Sequence, residues 1–394
     1  MPKGRLAAWG ASALAAVMLA GCWGAAPVEA TGLVVLLAID AAPGGGYVIT
    51  ADVISPPGLP APSPAGGGAG ASPPVLVRQA TGPSVFAAVR GLSLVSHLDL
   101  DFTHLEAVIV SAAVAREGLA PILQAFVESQ ELSEVGPWLL VARGSTAAAT
   151  LEQTRTVVPY PGIVLDQLAR WGRANSAYEP SHVWGFLTRL NLDGDQPFTA
   201  GVDVPVAQGS GKTATFGLTG LAMFQHGRLA GWLDGGAALG WAVATGRVRA
   251  QPLSAPGPAG PLTLELASSE RRIRVQAGPG GPAVTILIRV TARLAGTNDA
   301  RDDFYRQPRL LAAAQGQAAA DLEADVAAAL RAARAAGSDV FSLGQFVRVQ
   351  DPRYWAQFGA EWGARGFRDL PVTSQVAVEI NDVGLSVCPL FGPC

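Results

Sequence analysis

Residues 105–142 read LEAVIVSAAVAREGLAPILQAFVESQELSEVGPWLLVA. The apolar run over 105–110 is short enough for a buried strand. Across 117–128, Leu119, Ile122, Leu123 and Phe126 share one helical face, which predicts an amphipathic helix. A second apolar run, 138–142, stops at Arg143-Gly144 and reads as another strand. Strand and helix alternate in this way to about residue 195, the pattern of an α/β-type domain.

Upstream, residues 33–39 and 47–54 read as a hairpin around a turn at 40–46, with Tyr47, Ile49 and Val53 alternating against polar neighbours. Residues 55–74 are almost wholly Pro, Gly, Ala and Ser and are expected to be a flexible loop. A strand resumes at 75–79. Ser84 is placed to cap a helix over 84–94 carrying Val85, Phe86, Val89 and Leu92. Downstream, 198–206 and 213–224 read as strands about a turn at 208–212, followed by a strand and short helix over 228–248 and a Pro/Gly linker at 251–261. Three β runs follow at 262–266, 273–276 and 285–294. An Ala-rich helix then spans 308–336, with Leu322, Val326, Leu330 and Arg334 spaced by four, and a second helix at 355–367 precedes a strand at 372–380. The expected fold is α+β, with mixed sheets flanked by helices in three domains: 22–195, a small middle domain 196–255, and 256–394.

The chain of 394 residues is 49% hydrophobic and 15% charged, enough apolar residue for sizeable cores. A net charge of −3 gives no basic field for nucleic acid, and no electrostatic attraction to an anionic membrane. The N-terminus offers a different route to a membrane. Lys3 and Arg5 precede an apolar run over 6–20, too short to span a bilayer core of ~30 Å and proportioned as a secretory signal. Leu19-Ala20-Gly21-Cys22 reads as a lipobox. Residues 1–21 are then a lipoprotein signal peptide, cut between Gly21 and Cys22, and the Cys22 sulfur takes a diacylglyceryl group. The plainer alternative is an ordinary cleaved signal with a chance cysteine. Trp23 suits the headgroup level of a bilayer. Acyl chains on one cysteine contribute ~0.8 kcal/mol per buried methylene to membrane residence. The body after Cys22 is expected to be water-soluble and extracytoplasmic. Cys388 and Cys394 close a C-x5-C that is either a small disulfide loop or two free thiols.

Reactive constellations are sparse. His97, His104, His182 and His226 are scattered without a His-x-x-x-His pair, and no Gly-x-Ser-x-Gly elbow occurs. Gly209-Ser-Gly-Lys-Thr213 has Val206 where a phosphate loop needs glycine and leads into a strand, so it reads as a hairpin turn. Asn191-Leu-Asp-Gly-Asp195 has the oxygen alternation of a calcium loop, but Gln196 and Val202 stand where Gly and Glu are required, so a solvated turn is expected. Asp299, Asp302 and Asp303 beside Arg301 read as another solvated loop. Of the nine tryptophans, Trp171, Trp184, Trp232, Trp241, Trp355 and Trp362 are expected in the core. No catalytic, cofactor or metal-binding residue is expected.

Several stretches together resemble the Ger(x)C family, the lipoprotein C subunits of nutrient germinant receptors in spore-forming bacteria. These are Cys22-Trp23 with the strands at 33–40 and 47–56, then Val89-Arg-Gly-Leu-Ser93, His104-Leu-Glu-Ala-Val-Ile-Val110, Ala115-Arg-Glu-Gly-Leu119 and Trp138-Leu-Leu-Val-Ala-Arg-Gly144. The most specific are Gly220-Leu-Ala-Met-Phe224 through Gly231-Trp-Leu-Asp234 to Gly240, and Ser338-Asp-Val-Phe-Ser-Leu-Gly344 followed by Pro352, Trp355 and Trp362. The chain departs from the family pattern in Gly24-Ala25-Ala26, in the acidic stretch 128–134, in the long 55–74 loop and in the C-x5-C tail. The resemblance implies a three-domain α+β protein without enzymatic activity or cofactor. It would lie on the outer face of the inner spore membrane and assemble with A and B membrane subunits. A solute-binding lipoprotein of a transporter is the alternative, and it predicts two similar α/β lobes around a cleft. A cell-envelope hydrolase is the third reading.

Overall fold

The computed structural model describes residues 30–55, 75–133, 136–144, 146–155, 160–171, 176, 178–203, 217–257, 260–297 and 308–382. β1 (Thr31–Ala41) pairs antiparallel with β2 (Tyr47–Ile54), and β3 (Val75–Gly82) completes that edge. On its other side β1 runs parallel to the short β4 (Asp99–Asp101) and to β5 (Ala107–Ser111), and β5 runs parallel to β6 (Trp138–Ala142). The short β7 (Ser181–His182) pairs with β6. β5 is buried along its whole length: Val108 and Val110 enter one core, Ala107 and Ile109 the other. A parallel strand flanked by crossovers needs both faces covered, which accounts for its unbroken apolar run.

Helices α1 (Val85–Leu94), α2 (Ala112–Glu117) and α3 (Ala120–Glu128) cover one face. α4 (Ala147–Arg155) and α5 (Pro161–Trp171) cover the other. Ser84 caps α1 as expected, its hydroxyl accepting from the Ala87 amide. The helix expected over 117–128 forms as α3 with Leu119, Ile122, Leu123 and Phe126 buried, and a second, unexpected helix, α2, precedes it. The Ser111 hydroxyl accepts the Val114 amide and starts a helix directly off β5, and Gly118, at φ 124°, breaks it. Trp171, expected in the core, is 72% exposed because α5 ends on it.

Beyond α6 (Val183–Leu190), the chain does not form a separate middle unit over 196–255. Beyond the two residues that pair with β7, the same edge of β6 takes β8 (Phe198–Asp203) in parallel at Val141 and Ala142. β9 (Gly217–Gln225) and β10 (Arg228–Leu233) extend the sheet antiparallel, giving the order β10-β9-β8-β6-β5-β1-β2-β3. The following helix α7 (Gly235–Thr245) belongs to a second core.

That core lies under a four-stranded sheet, β11 (Gln251–Gly257), β12 (Gly260–Gln276), β13 (Ala283–Thr297) and β14 (Val372–Asp382). The segment expected as a Pro/Gly linker is β11. Pro252 and Pro256 are tolerated there because β11 is an edge strand, where a missing amide costs no ladder bond. The runs at 262–266 and 273–276 merge into one 17-residue strand with register shifts near Leu264 and Ser268. The long helix α8 (Pro308–Ala336) forms as predicted and buries Ala318, Leu322, Val326, Ala329 and Ala333. After α9 (Leu343–Gln350), the helix expected over 355–367 is broken into α10 (Pro352–Phe358), Gly359–Glu361, a π-helical turn Trp362–Gly366, and Phe367–Asp369. The molecule is α+β with two sheets.

Gly21, Cys22, Trp23, residues 56–74, the 209–213 segment, Asp299, Asp302, Asp303, Cys388 and Cys394 lie outside the described residues.

Candidate functional site: a polar joint between the sheets

Residues 338–344 join the second core to the first sheet, and nearly every residue is tied to a different element. Gly337, at φ 64°, ends α8. Its amide reaches Arg334 O and the Ser338 amide reaches Ala333 O, the pairing that satisfies the last carbonyls of a helix. Ser338 Oγ donates to Phe224 O of β9 at 2.5 Å. Val340 O accepts from the Trp241 indole of α7 at 3.0 Å, and Phe341 O from Arg271 of β12 at 2.8 Å.

Asp339 sits at the centre with no exposure. One carboxylate oxygen accepts the Leu343 amide at 3.1 Å; the other accepts the Gly344 amide at 2.7 Å and the Trp362 indole at 2.8 Å. A carboxylate here does two jobs with one group. It caps the first turn of α9, where amides lack intrahelical partners, and it fixes the Trp362 ring. Ser342, at φ 59°, turns its hydroxyl onto Asp195 at 3.0 Å, and Asp195 also pairs with Arg189 at 2.9 Å. The turn at 191–195, expected to be solvated, is therefore half of the joint. Its Gly194 (φ 75°) lies backbone to backbone with Gly344, where a Cβ on either residue would fall 2.5 Å from the other's main chain.

The Gly220-to-Gly240 stretch builds the other half. Gly220, at φ 58°, leaves room for a bidentate pair between Arg143, just past β6, and Asp234, at 2.5 and 2.8 Å. An added Cβ would lie 2.3 Å from the Asp234 carboxylate. The Arg143 guanidinium also lies 4.2 Å from the Trp232 ring centroid. Asp234 stands at the N-cap of α7 but makes no side-chain cap bond, because Arg143 holds its carboxylate. Sequence reasoning missed Arg143, Arg189, Arg247 and Arg271. Arginines far apart in the chain carry no local pattern, and only the topology brings Arg143 to Asp234 and gathers Arg189, Arg247 and Arg271 near Asp195.

Burial sets the protonation of the joint. It raises Asp195 against the opposing pull of Arg189 and lowers Arg271. Complete burial pushes Asp339 up to about 6, although the Trp362, Gly344 and Leu343 donors act the other way. The sign of the stability change follows. Between 3.8 and about 6, folded Asp339 keeps a proton that the unfolded chain has released. Stability therefore falls as pH rises through that window, by about 3 kcal/mol in total. Urea unfolding of the wild type minus that of Asp339→Asn should isolate this slope. A flat difference curve would contradict it.

Beside the joint a groove of ≈ 510 Å³ is lined by Glu179, His182, Trp184, Arg189, Phe198 and Arg247. Its two arginines are already paired, Arg189 with Asp195 and Arg247 with Glu179 at 3.1 Å. His182 stacks on Trp138 with ring centroids 3.5 Å apart. His97 lies by Arg78, His104 by Thr103, and His226 on a turn at φ 50°, so the histidines do not converge. Among the described residues no group of three or more His, Cys, Asp or Glu side chains could hold a metal. No described helix is long and apolar enough to cross a membrane.

Residues 24–204 match the family described as spore germination protein N-terminal domain, and residues 219–384 that described as spore germination B3/GerAC like, C-terminal. Spore germination protein KC of Bacillus subtilis (strain 168) is 21% identical over 398 residues, spanning 96% of this chain and 95% of that protein. The crystal structure of the GerBC protein superposes with a TM-score of 0.51 at 17% identity, covering 88% of this chain and 96% of that one. The fold is thus shared.

Proposed function

The chain belongs to the GerAC-like family of spore germination proteins, and on that premise we propose that it is the lipid-anchored, non-catalytic C-type subunit of a nutrient germinant receptor. It would be held by Cys22 on the outer face of the inner spore membrane and assemble there with A- and B-type membrane subunits. One observation supports the docking role above others. The 338–344 motif block bonds the second core to elements of the first, Ser338 Oγ on Phe224 O, Ser342 Oγ on Asp195, and the Gln196 amide on Asp339 O. A rigid two-sheet body suits a scaffold. The lipid confines it to two dimensions and raises its effective concentration near membrane partners. The solute-binding alternative calls for two similar lobes, whereas the sheets here are unlike, one ten-stranded and mostly parallel at its centre, the other four-stranded.

Spores lacking the protein, or carrying Cys22→Ala, should fail to germinate on nutrients yet respond to receptor-independent triggers. Mass spectrometry of the N-terminal peptide should show the acylated cysteine. Normal nutrient germination by both strains, in a background without a redundant receptor, would remove the proposal.

A further inference from the structure

We infer that the turn after α1, residues 94–97, is the surface with which this protein rests on the bilayer, Leu94 and Val95 entering the boundary between headgroups and acyl chains. The inference rests on the Cys22 anchor and adds an orientation to it. Eight residue steps separate Cys22 from Ala30, so even a fully extended link holds the start of β1 within about 30 Å of the acylated sulfur. The described chain therefore starts near the membrane, and the sheet shows which end that is. Thr31 pairs with Asp99, and Gly32 lies against Leu98 so closely that an added Cβ would be 3.1 Å from the leucine methyl. The turn that carries Leu94 and Val95 leads directly into Leu98 and Asp99.

Leu94 is 88% exposed and Val95 53%. Single exposed apolar residues are common, but here two adjacent ones crown the end from which the tether leaves. They are also held rigidly. The Val95 amide bonds Leu92 O at 3.2 Å where α1 ends, and Ser96 Oγ donates to Leu98 O at 3.0 Å and accepts the Leu98 amide at 3.1 Å, so bonds fix the chain on both sides of the pair. Arg78, 3.3 Å from His97, supplies a cation for lipid phosphate close by, and Asp99 is the opposing charge. A short tether and a rigid apolar tip at the same end match the chemistry of an interfacial contact, an apolar point flanked by a basic group.

The acylated full-length protein, carrying Leu94→Cys with Cys388→Ser and Cys394→Ser and labelled with bimane, tests this on phosphatidylcholine–phosphatidylglycerol vesicles. Position 94 is exposed, so the label costs no core packing. The emission at 94 should shift to the blue and be quenched by brominated acyl chains. The same label at Val349→Cys, 75% exposed on the second unit, should show neither change. If the protein sediments with the vesicles while the label at 94 remains in water, the orientation is overturned and the anchor stands. If the protein stays in the supernatant, both fall.

Discussion

Asp339→Ala should lower the unfolding free energy by about 3–5 kcal/mol, the sum expected when a buried acceptor is taken from several donors at once. Three donors lose their partner: the amides of Leu343 and Gly344 and the indole of Trp362. None can turn to water, because Leu343 and Gly344 are buried and Trp362 is only 4% exposed. The first turn of α9 loses its cap, and the Trp362 ring loses its fixed orientation against Trp355 and Phe367. Trp362→Phe removes one donor and keeps most of the ring, so it should cost clearly less. The order of the two variants matters as much as the size. If Asp339 were only a buried carboxylate tolerated by its surroundings, removing it would be neutral or stabilising, as it can be for a charge that burial penalises. Urea unfolding that left Asp339→Ala within about 1 kcal/mol of the wild type would show that the three donors do not depend on this carboxylate for the stability of the joint.

How far the sequence revealed this arrangement depends on the range of each interaction. The hairpin β1–β2, the Ser84 cap, the strands β5 and β6 and the long helix α8 are encoded by neighbours in the chain, through periodicity and capping, and the structure has them where the pattern places them. The boundary of the middle unit was not legible. β8 reads as a strand in either setting, and nothing local says that its partner is β6, far back in the chain. The Pro-rich edge strand β11 reads as a linker because proline lowers strand propensity, while an edge position removes the penalty. The Asn191–Asp195 turn looks solvated because its residues are polar. Arg189 and Ser342 take up Asp195, and Gly344 lies against Gly194, all through contacts that only the fold supplies. The motif glycines and Asp339 were visible as a resemblance. Their work as a joint was not, since that needs both sheets at once.

Gly240→Ala is the sharpest test of that joint, because a helix interior normally gains from the change. Alanine is favoured over glycine by about 1 kcal/mol in a helix, so a neutral site would be stabilised. At position 240, however, the new methyl would lie 2.2 Å from the backbone carbonyl of Asp325 and 2.4 Å from the Val326 amide. These are main-chain atoms of α8, which no side-chain rotation can move away. The helices must separate, and overpacking of this kind costs ~1–3 kcal/mol or more. Separation also draws Trp241 from Val340 O, so the strain reaches the 338–344 segment directly. We expect a net loss of about 2–4 kcal/mol, the steric cost exceeding the gain in propensity. Gly316→Ala supplies the contrast. It lies in α8 itself, with nothing within 4 Å of the added methyl, and should stabilise by up to about 1 kcal/mol. Opposite signs for one substitution in two touching helices would tie the effect to the helix crossing. Equal stabilisation at both positions would mean that α7 and α8 can part freely, and that the second core carrying the 338–344 segment is looser than the scaffold role requires.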